Sequence, residues 1–328
     1  MDLLKDTILR LLRERSPEYV SGEEICRLLN VTRTAVWKHI QALRENGYGI
    51  EARSRAGYLL TGVPDKLFPE EIGQGLSTRF LGRNILYCDS VPSTNNLAKE
   101  LAAQGAADGT MVVAEEQSGG KGRLGRHWSS AKYKGIFFTF ILYPPLIPSE
   151  ANVLTLMTAV AMAEAVRNET GVAAGIKWPN DLLVDGKKIC GILVELSAEM
   201  ERINYMVVGV GVNVNQEEND FPEVVRLNAT SLKAHAGRVI SRVKLLQAFL
   251  KEFEKWYDIS LEQGFAPVLA RWKEMSVSLN CPVRISTPNK SWDGWAEDID
   301  SDGALLVRLP GGELKRAISG EVSLRLSE

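Results

Sequence analysis

Histidine and cysteine are scarce in this chain. Three His (His39, His127, His235) and four Cys (Cys26, Cys88, Cys190, Cys281) stand among 328 residues. So few His argue against a multi-histidine metal site. The cysteines are far apart and form no C-x-x-C pair. That excludes a disulfide framework and a zinc ribbon, and implies a reducing, cytoplasmic compartment. Long apolar runs are also missing. The longest uncharged stretch, around ANVLTLMTAVAMA, falls short of the ~20 residues that span a bilayer, so it reads as a buried helix and no membrane contact is expected. The N-terminal MDLLKDTILRLLRERS is charged throughout and is not a signal peptide. Nor is there an excess of one charge. The formal net charge is -2, so any nucleic-acid surface must be local.

What remains is ordinary globular material, 45% hydrophobic and 24% charged. A chain this long is expected to divide into two or three domains. The first is placed at residues 1–63. Leu4, Ile8, Leu11 and Leu12 make one helical stripe. Ser21 in SGEE reads as a helix N-cap with Glu24 as its capping-box partner. That helix stops at Asn30, and Thr32 caps a third one whose inward stripe is Val36, Ile40 and Leu43. GYGIEARSRAGYLL then reads as two short strands with Arg53 and Arg55 near the tip. This is a winged helix-turn-helix pattern. Between Thr32 and Tyr58 five cations face two carboxylates, the local excess that a phosphate backbone needs. Arg33, Thr34, Trp37 and Lys38 are placed to read bases, and Arg53 and Arg55 to touch the backbone from the wing.

The segment TGVPDKLFPEEI marks a boundary. From residue 67 to 273 Val/Ile-rich strands alternate with helical patterns, the strands paired as hairpins with helices on one face. That describes an α+β domain with a mixed sheet. Residues 277–328 show short strands and turns at DSDG and PGG, as in a small SH3-like β-barrel.

Four stretches of the middle domain have the residues for chemistry. SGGKGRLGRHW (Ser118–Trp128) holds four glycines and three cations and no acid. Its N–H and guanidinium donors suit phosphate or carboxylate oxygens. It is neither a Walker A loop nor a Rossmann G-x-G-x-x-G, because no Ser/Thr follows its Lys and it runs into a strand rather than a helix. In DSVPSTNNLAKE, Ser93 or Thr94 caps the next helix or holds a small polar ligand. In IKWPNDLLVDGKKICGILVELS, Asp185-Gly186 is a hairpin turn. Strict alternation then sets Lys188 level with Cys190 and Ile192, there either to bind an anion or to reach water. In VVGVGVNVN, Gly209 and Gly211 interrupt a strand, for packing or for a ligand lying against the backbone.

In this order the four stretches resemble the catalytic domain of bifunctional biotin–protein ligases, the biotin operon repressor family. GGKGRLGRHW is similar to that family's GRGRxGRxW loop, with Lys121 where Arg is common. Lys keeps the charge but loses the bidentate fork. KWPNDLLVDGKKICGILVE matches the KWPND hairpin nearly throughout. GWAEDIDSDGALLVRLPGGELKRAISGEV matches the terminal module, and the winged helix marks the regulatory subclass.

The resemblance implies a class II synthetase-like ligase. It would join biotin and ATP into biotinyl-5'-AMP and pass biotin to a lysine of a biotin carboxyl carrier protein. Arg123, Lys188 and Lys121 would be catalytic. Ser93, Thr94, Asn95, Gln117, Gly120, Lys121, Gly122, Arg123, Lys188, Gly209 and Gly211 would bind biotin. Trp128, Asn180, Asp181 and Asn213 would bind the adenylate, and Asp181 would also hold Mg2+. Operator DNA and a homodimer of the adenylate-bound form complete the implied partners. Two other readings stay open: a lipoate-type ligase, and a repressor that senses biotin without catalysis.

Overall fold

The computed structural model describes residues 3–199, 202–287, 290–318 and 320–324. It comprises two compact units, Met1–Lys66 and Leu67–Glu328.

The first unit holds α1 (Leu3–Arg15), α2 (Gly22–Leu29), α3 (Arg33–Glu45) and the antiparallel pair β1 (Gly49–Arg53) and β2 (Gly57–Gly62). The expected caps are present. Ser21 Oγ accepts Glu24 N, Thr32 Oγ1 accepts Ala35 N, and Asn30 turns the chain at φ 53°. Ile8, Leu12, Ile25, Val36, Ile40 and Leu43 are buried together as the helical stripes require.

The second unit opens with α4 (Pro69–Gly73), β3 (Ile85–Cys88), α5 (Thr94–Ala103), β4 (Met111–Ala114) and β5 (Ile136–Leu142). Next come α6 (Ala151–Thr170), β6 (Gly175–Lys177), β7 (Asp181–Val184), β8 (Lys187–Glu199) and β9 (Arg202–Val212). Two short helices, α7 (Glu223–Arg226) and α8 (Leu232–Ala236), precede the long α9 (Arg242–Gln263) and α10 (Ala266–Met275). The chain ends in β10 (Cys281–Ser286), β11 (Ser291–Ile299), β12 (Leu305–Arg308), β13 (Leu314–Ala317) and β14 (Glu321–Leu324).

The main sheet has seven strands in the order β3-β4-β5-β9-β8-β7-β6. Only β3 and β4 run parallel. Its two faces differ. One carries Phe138, Phe140, Val208, Val210, Val212, Cys190 and Ile192 against α6 and α9. Phe249 of α9 sits there, its ring centroid 5.2 Å from that of Phe138. Truncating Phe249 to Ala costs roughly 3–5 kcal/mol. The other face carries Val112, Ile141 and Val207 under Ala98 and Ala102 of α5. Helices therefore cover both faces, not one as the hairpin pattern suggests. The strands alternate apolar on both sides, which a sheet buried twice requires.

The C-terminal five strands run antiparallel in the order β13-β12-β11-β10-β14. The expected SH3-like module is there, but as an open sheet. Closure into a barrel would need β13 to pair with β14, and among the described residues each pairs only with its inner neighbour. Val283, Ile285, Ala296, Leu305 and Val307 join the same core as the seven-stranded sheet. Trp178 locks the two sheets together: it is buried, donates Nε1–H to Gly303 O at 3.0 Å, and takes Ser278 Oγ on its backbone N–H at 2.9 Å.

Candidate active site and nucleic-acid interface

The α5 face of the main sheet is opened by glycine. Gly191 on β8 pairs with Gly211 on β9, and Gly209 follows two residues before. A Cβ on Gly211 would lie 2.6 Å from the Trp128 indole, and one on Gly191 would lie 2.8 Å from it. A Cβ on Gly209 would strike Asn95 Oδ1. The three glycines thus form a floor onto which other side chains descend directly.

Asn180 and Asp181 stand at the edge of this floor, at the start of the β7–β8 hairpin. Each holds one cation. Arg123 donates from Nη1 to Asn180 Oδ1 at 3.2 Å and to Gly320 O at 3.2 Å. Lys188 Nζ pairs with Asp181 Oδ1 at 2.6 Å and lies 5.4 Å from the Trp128 ring centroid. Asn180 is itself fixed by donating Nδ2–H to Ile192 O at 2.8 Å. The side chain of Lys188 does not share a face with Cys190 and Ile192. A register shift between Leu182 and Leu183 pairs Leu183 with Lys188 and Leu182 with Cys190, leaving Ile189 as an extra residue. This bulge turns Lys188 to the side of Gly191, where its Nζ would lie 3.2 Å from a Cβ on that glycine. Cys190 stays buried on the far face, and burial pushes its thiol pKa up.

The loop after β4 is folded back on itself. Gly122 N–H donates to Arg126 O at 2.7 Å and Trp128 N–H to Gly120 O at 2.9 Å. Gly120 has no room for a side chain, since a Cβ there would lie 2.5 Å from Trp128 O. Lys121 is exposed and donates to Asn96 Oδ1 at 3.0 Å, so it points toward the start of α5. Asn213 binds the hairpin strand by donating Nδ2–H to Lys188 O at 3.3 Å.

The start of α5 holds the buried hydroxyl and amide groups. Ser93 caps the helix with Oγ, and Thr94 N–H and Oγ1–H donate to Gln117 Oε1 at 2.8 and 3.0 Å. Asn95 is committed to the protein. Its Oδ1 lies 2.6 Å from Thr139 Oγ1, and its Nδ2 donates to Leu193 O at 3.2 Å and to Glu195 Oε2 at 2.8 Å. Glu195 also pairs with Lys99 at 2.9 Å. Burial alone would raise its carboxyl; the hydrogen bonds from Asn95 and Lys99 outweigh it and hold the group below the ordinary carboxylate value.

Thr139, Gly191, Lys99 and Glu195 join this site unexpectedly. Gly191 interrupts a β-branched strand just as Gly209 and Gly211 do, and Thr139 is a lone hydroxyl in an apolar strand; both signals were readable. Nothing in the sequence links Lys99 to Glu195. No group of three His, Cys, Asp or Glu side chains that could hold a metal occurs among the described residues.

In the first unit Arg33, Thr34, Trp37, Lys38, Arg53 and Arg55 are all exposed. Trp37 is 54% exposed, which is far from a core position. Arg55 turns the wing tip at φ 66°. A groove of about 410 Å³ is lined by Ser21, Arg33, Arg53, Arg55 and Tyr58.

Known protein families match each part of the chain. The sequence profile of the biotin/lipoate A/B protein ligase family matches residues 87–213, an HTH domain matches 5–59, and the biotin protein ligase C terminal domain matches 278–325. The bifunctional ligase/repressor BirA of Bacillus subtilis is 39% identical over 98% of this chain and 98% of its own length. BirA of Escherichia coli is 30% identical over 95% and 94%. The structure of biotin protein ligase from Aquifex aeolicus in complex with biotin and ATP superposes with a TM-score of 0.64 at 30% identity, over 75% of this chain and 100% of that one. The chain belongs to the biotin/lipoate A/B protein ligase family, in the branch of the bifunctional ligase/repressors.

Proposed function

We propose that the chain is an ATP-dependent biotin–protein ligase that also acts as a biotin-responsive repressor of biotin synthesis genes. The observation that carries the catalytic half is the hairpin at Asn180-Asp181, which fixes Arg123 and Lys188 beside a glycine floor.

In the first step a carboxylate oxygen of biotin attacks the α-phosphorus of ATP. The bond to the β-phosphate bridging oxygen breaks, and pyrophosphate leaves with that electron pair. Two anions meet, and charge concentrates on the α-phosphoryl oxygens. Arg123 and Lys188, already oriented, stabilise that charge without reorganising during the reaction. The N–H of Gly120 and the ammonium of Lys121 offer further donors from the same loop, whereas the N–H of Gly122 is engaged by Arg126 O. Ser93, Thr94 and Gln117 offer polar groups to biotin's ring, with Asn95 holding the helix start against Gly209. Trp128 and Asn213 flank the floor where the adenylate would lie. In the second step a carrier lysine amine attacks the acyl carbon, loses a proton, and AMP departs.

Mg2+ belongs to this reading as the ion that ATP brings. Asp181 is paired with Lys188, and one carboxylate is not a cage. The substrate is the lysine of a biotin carboxyl carrier protein. A cytoplasmic setting fits the four free thiols, and no described helix is long and apolar enough to cross a membrane.

The repressor half rests on the exposed cations of the winged helix. The adenylate-bound form would dimerise and set two such units on a two-fold operator. Linkage requires the adenylate to favour dimer over monomer. Incubation with ATP, a carrier domain and either biotin or lipoate, followed by weighing the carrier, tests the ligase. Mass gain with biotin alone is expected; gain with lipoate alone, or none, overturns it.

A further inference from the structure

We infer that Arg242 is a positioning residue for the loop that carries Arg123. The inference rests on the ligase reading and deepens it.

Arg242 is the first residue of α9 and is fully buried, as is its partner Glu115. Both placements are unfavourable for a cation. Burial strips its water, and the start of a helix is the positive end of the dipole. An apolar side chain would fill the space more cheaply. What the guanidinium does there is join three segments. Nη1 donates to Glu115 Oε2 at 2.5 Å and to Gly135 O at 3.0 Å. Glu115 Oε1 accepts the N–H of Leu67, the residue at which the second unit begins, at 2.9 Å.

Glu115 and Gly135 are the two stems of the active-site loop. Glu115 lies two residues before Gln117, and Gly135 lies one residue before β5. All of Gly120, Lys121, Gly122, Arg123 and Trp128 lie between them. The exit stem is pinned a second time. Tyr133 stands at φ 60°, with its hydroxyl donating to Asp89 at 2.7 Å, and Lys132 pairs with the same carboxylate at 2.5 Å. Gly135 packs so closely that a Cβ there would lie 2.5 Å from the Phe137 ring and 2.8 Å from Val212 O, so no side chain fits at the exit stem. One guanidinium nitrogen, Nη1, therefore bridges the two stems and sets their spacing, and with it the height of Arg123 above the glycine floor. Lys could keep the charge, but its nitrogen ends one bond short of Nη1.

The test uses the full chain and two variants. Arg242→Met with Glu115→Gln removes both charges together, so no lone buried ion remains and the fold is expected to survive. Arg242→Lys keeps the buried charge on a shorter side chain, which cannot reach both stems as Nη1 does. The readouts are KM and kcat for biotin in adenylate formation, and trypsin cleavage after Lys121, Arg123 and Arg126 with and without biotin plus ATP. The double variant is expected to melt like the parent, to raise KM for biotin ~10-fold or more, and to lose ligand protection of the loop. Arg242→Lys is expected to show the same pattern at smaller size. If the double variant does not fold, Arg242→Lys carries the test alone. Parental KM and parental protection in the folded variants overturn the inference. If the unmodified chain biotinylates no carrier, the ligase reading has failed instead.

Discussion

The two units hold their cations in opposite ways. In the winged helix Arg33, Lys38, Arg53 and Arg55 are exposed, and the ion pair of Arg33 with Glu23 is a long 3.6 Å, both side chains being largely in water. In the ligase unit Arg123 and Lys188 are partly buried and held by neighbouring residues of one hairpin. A phosphate backbone is a line of charge, and a cation can meet it from many rotamers. A reacting α-phosphate is one point, and misplacement by about 1 Å can cost ~100-fold. The first surface needs charge; the second needs charge held still.

Breaking the held pair should have the largest effect. Lys188→Ala is expected to slow adenylate formation ~100- to 1000-fold, the loss typical of removing one preorganised donor at a developing charge. The weaker operator binding of the ligand-free form should match the parent's when both are titrated by gel shift without biotin. Filling the floor comes next. Gly211→Val puts a branched side chain where Trp128 lies, and calorimetry should show biotin affinity reduced by at least ~10-fold. Loosening the holder has a smaller effect. Asn180→Ala removes one acceptor from Arg123 and is expected to cost about 1 kcal/mol, or roughly 5-fold in kcat/KM. The wing gives the smallest effect per residue. Arg53→Ala and Arg55→Ala should each lower the salt slope of operator binding by about 1, equally on all sequences, and leave carrier biotinylation unchanged. A loss of ligation in the wing variants would break the contrast.

Much of this was legible. The caps at Ser21, Thr32 and Asn30, the hairpin at Asp185-Gly186 and the glycines of β9 all act locally, so short spacings reveal them. Lys188 stands out in the sequence, but strict alternation gives it the wrong face, because a bulge at Ile189 leaves no mark on an alternating pattern. The cover on the second face is hidden for a related reason: α5 packs on the nearby β4 and β5 together with the distant β9. The C-terminal pattern suggests a barrel where the sheet is open, because strands and turns do not say whether the last pair closes. The pairs Lys99–Glu195 and Arg242–Glu115 lie far apart in the chain, and only the folded topology brings them together.

On this geometry Asp181 acts by holding Lys188. A double-mutant cycle on biotin-dependent ATP–pyrophosphate exchange tests it most directly. Asp181→Asn should lose most of what Lys188→Ala loses, and the combined variant should be no slower than Lys188→Ala alone. Losses that simply add, or an Asp181→Asn variant that exchanges at the parental rate, would contradict it.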